Sequence, residues 1–332
     1  MHMMDPRAIV DDLAEALVVP SFTRIGFSLR RKLFDWKDAE SFSMTGRTVV
    51  LTGPTSGLGR AAAGSFARMG ARLVLVGRDA GRLEQTRSEL LAETPGLAAT
   101  TVVADMASLS SVRAAAAEIL EREPRLDVII DNAGAMFETR ETTPEGCERT
   151  FATMALGPFV LVARLVPRLA ESPDARIIAV TSGGMYWYSL PLDDLAFERG
   201  AYSGPQAYAR AKRAQVTLVR EWARRIRGRG VVANAMHPGW ADTPGLAAAL
   251  PGFHGLIGRQ LRSAAEGADT ILWLAAAPDA RATTGRLFLD RRVRPFDRIP
   301  STRLSADDRR ALWDQVVALT GEPDPTARAG GS

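Results

Sequence analysis

A tyrosine and a lysine four positions apart, Tyr208 and Lys212, are the residues of this chain whose types and spacing best suit chemistry. Of its 42 lysines and arginines, only Lys32, Lys37 and Lys212 are lysine, so arginine is preferred almost wherever a positive charge stands. On a helix, positions i and i+4 share a face, which would set the phenol beside the ammonium. A planar guanidinium cannot replace a compact ammonium that reaches between two groups. The pair therefore indicates acid–base chemistry, although an exposed lysine and a half-buried tyrosine on an ordinary helix would show the same spacing.

The composition narrows the classes of protein to which the chain can belong. Of 332 residues, 46% are apolar and 24% charged, and the net charge of +4 is typical of a soluble globular protein rather than a nucleic-acid-binding one. The single Cys147 excludes an internal disulfide and favours a reducing, cytoplasmic compartment. His2, His237 and His254 are scattered, so no metal site is expected. The sequence shows neither a secretory signal nor an uninterrupted apolar run of membrane-spanning length.

Strand and helix patterns alternate from residue 46 onward. Apolar runs predict strands at 47–51, 73–76, 101–104, 128–130, 176–180, 231–236 and 287–289. Helical patterns cover 58–69, 79–91, 109–121, 144–169, 206–226 and 264–275. This alternation predicts right-handed crossovers and parallel pairing. We therefore expect a single α/β domain over 46–319, a doubly wound Rossmann sheet of about seven mainly parallel strands with its ligand at their carboxyl ends. Residues 320–332 have the composition of a disordered tail.

Residues 1–45 precede this domain and form a predicted helical extension. A first helix is predicted over 6–19. In the segment 21–34, apolar and basic residues recur on opposite helical faces: Phe22, Ile25, Leu29 and Leu33 against Arg24, Arg30, Arg31 and Lys32. Such a helix either packs on the core or on a second subunit of a homodimer, or lies on a membrane surface.

Glycines cluster in the turn after the first predicted strand, where residues 52–59 read Thr-Gly-Pro-Thr-Ser-Gly-Leu-Gly. Their spacing differs from the commoner dinucleotide fingerprint, but glycines permit a tight turn. They also let a pyrophosphate approach backbone N–H groups at the start of a helix. A nucleotide site is indicated, with a purely structural turn as the alternative.

The end of the second predicted strand bears on the choice of cofactor. A carboxylate there would bind a ribose 2′-hydroxyl. The chain has Gly77 followed by Arg78, so a 2′-phosphate fits better and NADP(H) is the expected cofactor. The alternative is that Arg78 is only a solvated loop charge.

Together these motifs resemble the short-chain dehydrogenase/reductase superfamily over about residues 46–290. The motifs that carry the resemblance follow the strands in the family's order: 52–59, Asp105, 131–134, Ser182, Tyr208 with Lys212, and 238–243. More narrowly, segments 181–185, 236–245, 251–254 and 267–270 are similar to the member-twelve type of that superfamily, a relative of retinol-dehydrogenase-like reductases.

The resemblance implies a role for each of these residues. Tyr208 would be the general acid/base, and Lys212 would hold the nicotinamide ribose and lower the pKa of the phenol. Ser182 would hydrogen-bond the substrate oxygen as charge develops. NADP(H) would be contacted by Gly53, Ser56, Gly57, Leu58, Gly59, Arg78, Asp105, Met106, Asn132, Ala133, Gly134, Tyr208, Lys212, Pro238, Gly239 and Thr243.

One position departs from the family. The fourth catalytic residue is an asparagine in a pattern like Phe-x-x-Asn-x-Leu-Gly, and residues 151–157 place Met154 there. Methionine cannot donate the hydrogen bond by which that asparagine supports a water linking the lysine to solvent. A second reading therefore stays open, an NADP(H)-binding protein with weak or no turnover that acts through its loops or N-terminal helix.

Two long loops suggest the class of substrate. Segments 181–205 and 238–260 carry many large apolar residues: Met185, Tyr186, Trp187, Tyr188, Leu190, Trp240, Leu246, Leu250, Phe253 and Leu256. They predict a lid over a hydrophobic pocket, although half of them would serve equally to pack the loops on the core. The predicted reaction is hydride transfer between the nicotinamide and a lipophilic carbonyl or secondary alcohol.

Overall fold

A single sheet of eight strands forms the centre of the protein, whose computed structural model describes residues 5–244, 252, 255 and 257–325. The strands are β1 (Thr48–Thr52), β2 (Arg72–Gly77), β3 (Ala99–Val103), β4 (Val128–Asp131), β5 (Ala175–Val180), β6 (Val231–Met236), β7 (Leu287–Leu289) and β8 (Arg292–Arg294). Their order is β3-β2-β1-β4-β5-β6-β7-β8. All neighbours are parallel except β7 and β8. The predicted doubly wound sheet is confirmed.

The sheet has one strand more than the sequence predicted. β8 is three residues long and follows β7 through Asp290 and Arg291, which both have left-handed φ values, 54° and 57°. Such a tight hairpin turn usually contains glycine or asparagine, so its strongest sequence signal is missing.

Helices cover both faces of the sheet. They are α1 (Pro6–Ala16), α2 (Val18–Phe22), α3 (Arg24–Leu33), α4 (Gly57–Arg68), α5 (Ala80–Glu93), α6 (Leu109–Arg122), α7 (Arg149–Leu169), α8 (Gly204–Arg225), α9 (Ala264–Ala276) and α10 (Ala306–Thr320). Apolar residues of α4, α5 and α9 pack on one face, and those of α6, α7, α8 and α10 on the other. Because both faces are covered, the central strands β1, β4 and β5 are buried along their whole length and consist mostly of apolar residues.

Helix α7 differs from the predicted helix over 144–169. It begins only at Arg149, where the Glu148 carboxylate caps its first turn. Residues Ala152–Leu156 then form a wider π-helical turn, which the predicted helix did not include. Gly157 is required because a Cβ there would collide with the carbonyl oxygen of Met106. Among the described residues α7 alone is long and apolar enough to cross a membrane, and most of it is buried in the core.

The N-terminal extension packs with its polar side inward. The apolar side chains of Leu13, Leu17 and Ile25 are 65%, 62% and 57% exposed, while Asp11 and Arg30 are buried. Of the predicted apolar face only Phe22 is fully buried, whereas Ile25 and Leu29 are exposed and Arg30 of the basic face is buried. Among the alternatives left open, packing of the whole apolar face on the core of the same chain is therefore not observed. An amphipathic pattern identifies two faces but does not say which of them packs.

A buried ion cluster explains this inverted packing. The guanidinium of Arg30 binds three carboxylates: Asp11 at 2.6 Å, Glu15 at 2.8 Å and Asp290 at 2.7 Å. On the other side of these carboxylates, Nη2 of Arg294 binds Asp11 and Nη2 of Arg262 binds Asp290, each at 2.8 Å. The buried ion cluster therefore comprises Asp11, Glu15, Arg30, Arg262, Asp290 and Arg294, with Arg298 paired to Glu15 at its rim. Because buried charges are stable only when paired, these contacts fix the extension to the end of the sheet.

The C-terminal region is more ordered than expected. Helix α10 follows the sheet and was absent from the sequence-based prediction. Beyond it, Glu322 is buried and binds Arg113 at 2.8 Å and Arg164 at 3.1 Å. The predicted tail therefore cannot begin at 320, and residues 326–332 lie outside the described residues.

Candidate active site

The carboxyl ends of the strands border a cavity of about 910 Å³. This volume is at the upper end of ordinary ligand sites and suits a dinucleotide with part of a substrate. Every residue that the sequence put forward as catalytic or cofactor-binding lines it: Gly53, Ser56, Gly57, Leu58, Gly59, Arg78, Asp105, Met106, Asn132, Ala133, Gly134, Ser182, Tyr208, Lys212, Pro238, Gly239 and Thr243. Parallel strands bring these separate segments to one edge of the sheet.

The turn between β1 and α4 fits a pyrophosphate. Gly53 and Gly57 have left-handed φ values of 67° and 52°. A Cβ on Gly59 would collide with the Gly53 carbonyl oxygen, so the helix and the turn pack as closely as a dinucleotide turn requires. Among the described residues, no side chain caps the amino end of α4, where Ser56 stands at the N-cap. The first N–H groups of α4 are therefore available to an anion.

Two arginines line the cavity near the end of β2. Arg78 follows the strand, and Arg82 projects from the first turn of α5. The carboxylate of Asp79 between them accepts the backbone N–H of Arg82 at 3.0 Å and so caps α5. A pair of guanidinium groups suits a ribose 2′-phosphate. The sequence analysis missed Arg82, although its place in the first turn of the helix after β2 was a usable signal.

Asn132 anchors the glycine turn from β4. Its side-chain amide donates to the carbonyl oxygens of Thr52 at 2.9 Å and Gly53 at 3.1 Å. The Thr52 hydroxyl accepts the backbone N–H groups of Asn132 and Ala133, each at 2.9 Å. These bonds hold the floor of the cofactor region in one arrangement.

Ser182 and Tyr208 lie together on the cavity wall. Ser182 follows β5, and Tyr208 stands in the first half of α8. Burial raises the pKa of the Tyr208 phenol, and a hydrogen bond with the Ser182 hydroxyl opposes that rise. The Ser182 hydroxyl also accepts the N–H of Gly184 at 3.2 Å, which orients it toward the cavity end of the strand.

Lys212 lies one helical turn beyond Tyr208, and its ammonium is 5.8 Å from the centre of the tyrosine ring. The buried Nζ donates to the Val180 carbonyl at 2.8 Å and to the Gln215 side chain at 3.2 Å. Burial lowers the pKa of Lys212 to about 8, and the charge of Asp131 opposes this effect. A positive Lys212 favours the phenolate of Tyr208, so the arrangement suits proton transfer at the Tyr208 hydroxyl.

The N-terminal extension contributes a wall residue that sequence reasoning missed. Phe22 ends α2, lines the cavity and packs its ring on His237 at 4.8 Å and Trp240 at 5.6 Å. Its carbonyl accepts the backbone N–H of Trp240 at 2.7 Å. Gly183, directly after Ser182, must lack a side chain because a Cβ would lie 2.6 Å from the Phe22 ring. The extension therefore shapes the substrate end of the site.

The apolar loops divide between core and cavity. Met185, Tyr186 and Leu190 are buried, while Trp187 and Tyr188 are exposed where they border the cavity. Trp240 lines it from the other loop. Leu246, Leu250, Phe253 and Leu256 lie outside the described residues.

Comparison with known proteins identifies the family. The short chain dehydrogenase family matches residues 47–191. The protein named Dehydrogenase/reductase SDR family member 12 of Bos taurus is 40% identical over 286 residues, which cover 86% of this chain and 89% of that protein. The chain belongs to the short-chain dehydrogenase/reductase family. The resemblance to the member-twelve type is thereby confirmed, and retinol dehydrogenases of mouse and human are also similar.

Two further relatives of this short-chain dehydrogenase/reductase bear on its chemistry. A candidate daunorubicin C-13 ketoreductase of Streptomyces sp. (strain C5) is 40% identical over 279 residues, 84% of this chain and 94% of that protein. A crystal structure of a candidate NAD(P)-dependent gluconate 5-dehydrogenase from Beutenbergia cavernae, with NADP bound at low occupancy, has a TM-score of 0.61 at 27% identity and covers 75% of this chain and 96% of that one. The chain is thus an oxidoreductase of a family that binds nicotinamide cofactors and acts on small carbonyl or alcohol substrates.

Proposed function

We propose that this short-chain dehydrogenase/reductase uses NADP(H) to interconvert a lipophilic carbonyl compound and its secondary alcohol. The observation that carries the proposal is the placement of Ser182, Tyr208 and Lys212 on the wall of the cavity that also holds the glycine turn. Phe22, Trp187 and Trp240 make the adjoining wall apolar. The names of two relatives, a daunorubicin ketoreductase and a retinol dehydrogenase, point to lipophilic substrates.

Each side chain has a separate role in the proposed reaction. A bound nicotinamide supplies or accepts the hydride. In the reducing direction, the Tyr208 hydroxyl gives its proton to the substrate oxygen as that oxygen gains negative charge. Ser182 donates a hydrogen bond to the same oxygen. Lys212, when protonated, lowers the energy of the Tyr208 phenolate that remains.

The first prediction concerns cofactor preference, for which Arg78 and Arg82 are proposed to bind the 2′-phosphate. NADPH should raise the melting temperature more than NADH at equal concentration, because a ligand at about 100 times its Kd stabilises by roughly 2.7 kcal/mol. Replacing Arg78 by aspartate should weaken NADPH binding by about tenfold or more, since a charge-assisted hydrogen bond is lost and a repulsive charge is added. Arg87→Asp, on α5 but outside the cavity lining, is the matched control. Equal thermal shifts from both cofactors in wild type would exclude the preference.

We infer further that the N-terminal extension lies on an anionic membrane surface. Its outer apolar face consists of Ile9, Leu13, Leu17, Val19, Ile25 and Leu29, all exposed. Exposed Arg24, Arg31 and Lys32 flank it on α3. Exposed leucines with neighbouring cations suit the boundary between lipid headgroups and acyl chains. The same extension supplies Phe22 to the cavity, so a lipophilic substrate in the membrane would lie close to the site.

This inference predicts binding to vesicles that contain anionic lipid. The protein should sediment with them at low salt, and added salt should weaken the association by screening the cations. Leu13→Ser with Leu17→Ser should lower vesicle affinity by about tenfold or more, because buried apolar area is lost. Leu319→Ser on α10 removes an exposed leucine elsewhere and should have no effect. The contradicting result is a wild-type protein that does not bind the vesicles and forms a dimer, with the dimer dissociated by the double substitution. A second copy of the chain would then cover this face, and the inference would be wrong.

A further inference from the structure

A chain of buried polar groups leads from Lys212 to the end of β4. The Lys212 ammonium donates to Gln215 Oε1 at 3.2 Å, and Gln215 Nε2 donates to the carboxylate of Asp131. All three side chains are buried. Gln215 is therefore oriented by both neighbours, with its oxygen toward the cation and its amide nitrogen toward the anion. A bridging amide in this orientation couples the two charges electrostatically.

Asp131 has a free oxygen at the other end of this chain. Among the described residues, Asp131 Oδ1 has no hydrogen-bond partner. Asp131 borders a small cavity of about 20 Å³, which Gln215 and Met154 also line. A cavity of that size is large enough for one water molecule. Among the described residues, Gln215 is thus the side chain that donates a hydrogen bond to this carboxylate, through Oδ2.

Met154 stands where the family pattern has an asparagine, and the structure shows what occupies that part of the site. The sulphur of Met154 and the ammonium of Lys212 lie on the same side of Gly134; a Cβ on Gly134 would be 3.4 Å from the one and 3.6 Å from the other. Met154 contributes no hydrogen-bond donor there. On this side of the site, hydrogen bonds through Gln215 connect the Asp131 carboxylate to Lys212.

We propose that Asp131, acting through Gln215, is the positioning residue that keeps Lys212 protonated. The proposal rests on the proposed function only in giving Lys212 a catalytic role. Within the described part of the chain, the titratable groups that face Lys212 are Asp131 from β4 and Tyr208 from the same helix. β5 contributes the uncharged carbonyl of Val180, and α7 the uncharged Met154. Without a nearby anion, a buried lysine loses its proton readily.

The directions of the pKa shifts agree with this geometry. Burial lowers the pKa of Lys212 to about 8, and Asp131 opposes the fall. Burial raises the pKa of Asp131 to about 6, and the charge of Lys212 and the hydrogen bond from Gln215 oppose that rise. Between these two values both groups are charged and stabilise each other. Removing the Asp131 charge therefore moves the loss of the Lys212 proton to lower pH.

The test uses the presence of only three lysines in the chain. In the cofactor-free protein labelled with nitrogen-15 at the lysine side chains, Lys212 can be titrated by NMR, with exposed Lys32 and Lys37 as reference signals. Asp131→Asn keeps the shape of the side chain and a hydrogen-bond acceptor for Gln215. It should lower the pKa of Lys212 by about one pH unit or more, the size expected for losing a nearby opposite charge. Gln215→Leu should move it in the same direction by a smaller amount.

Asp127→Asn is the matched control. Asp127 is a buried aspartate on the amino side of the same strand, bonded to Thr48 and Ser172 and remote from Lys212. Its replacement should reduce stability and leave the pKa of Lys212 unchanged. A pKa of Lys212 that Asp131→Asn does not move would overturn the proposal.

Turnover gives a second, independent readout. In an active preparation, the fall of kcat on the alkaline side should shift to lower pH by the same amount in Asp131→Asn, and Asp127→Asn should not shift it. If the pKa of Lys212 moves but the alkaline fall of kcat stays at the same pH, the charge of Lys212 does not limit the reaction. That result would overturn the claim that a protonated Lys212 is needed for catalysis. If the Lys212 signal moves but wild type reduces no carbonyl compound, the positioning stands and the proposed function fails.

Discussion

Replacing Tyr208 by phenylalanine is expected to lower kcat for carbonyl reduction by about 10²–10⁴-fold, the usual worth of a positioned proton donor. The substitution removes one hydroxyl and keeps the ring against the cavity wall. The substrate oxygen would then gain charge without a proton, with only the Ser182 hydroxyl to stabilise it. NADPH affinity should stay within about twofold, because the proposed anion sites at the glycine turn and Arg78 are untouched.

Tyr202→Phe is a suitable control for this prediction. Its hydroxyl bonds Glu148 and Thr150, each at 3.0 Å, and it is not among the residues that line the large cavity. That variant should lose about 1 kcal/mol of stability and keep kcat. Full activity in Tyr208→Phe would show that another group donates the proton.

Replacing Arg30 by methionine is expected to have the largest effect on stability. Removing one partner from a buried charge network leaves carboxylates buried without compensation, which costs about 3–5 kcal/mol. Asp11, Glu15 and Asp290 would each lose a contact with the guanidinium. The urea midpoint should fall, and proteases should cut within residues 5–34 before they cut the sheet domain. Because Phe22 would then leave the cavity wall, KM for a lipophilic substrate should rise.

Arg31→Met provides the comparison, since Arg31 is the exposed neighbour on the same helix and its replacement should change stability by no more than about 0.5 kcal/mol.

The pH dependence of stability gives a further check on the buried ion cluster. Burial alone would raise the pKa of Asp11, but hydrogen bonds from Arg294 and Arg30 outweigh it and lower the pKa below 3.8. Its contribution to stability is therefore fully present above its unfolded pKa and is lost as the pH falls through the lowered folded value. Equal stability of Arg30→Met and wild type would contradict the role given to the buried ion cluster.

The arrangement of the candidate catalytic residues was predictable because it follows from short-range patterns. The strand-and-helix alternation placed 52–59, Ser182 and the Tyr208–Lys212 pair at one edge of a parallel sheet, and the structure brings them to one cavity. The confirmed fold needed only periodicity and chain order.

The parts that sequence reasoning missed depend on contacts between distant segments. Arg30 is buried because Asp290, 260 residues away, reaches it, and no local pattern shows this. The outward apolar face of α1 and α3 follows from that pairing. Gln215 likewise has an unremarkable place in the sequence and gains a role only where α8 passes Asp131.

Hydride transfer from NADPH to a lipophilic ketone can be measured directly with a deuterium label. Purified protein is mixed with NADPH that carries deuterium at the transferable position of the nicotinamide and with a panel of lipophilic ketones. The alcohol products are then analysed by mass spectrometry. We expect an alcohol with one deuterium on the former carbonyl carbon, which wild type forms and Tyr208→Phe forms at a much lower rate. NADPH binding by wild type, seen as a thermal shift, without deuterium in any alcohol would contradict this expectation and favour a cofactor-binding protein without turnover.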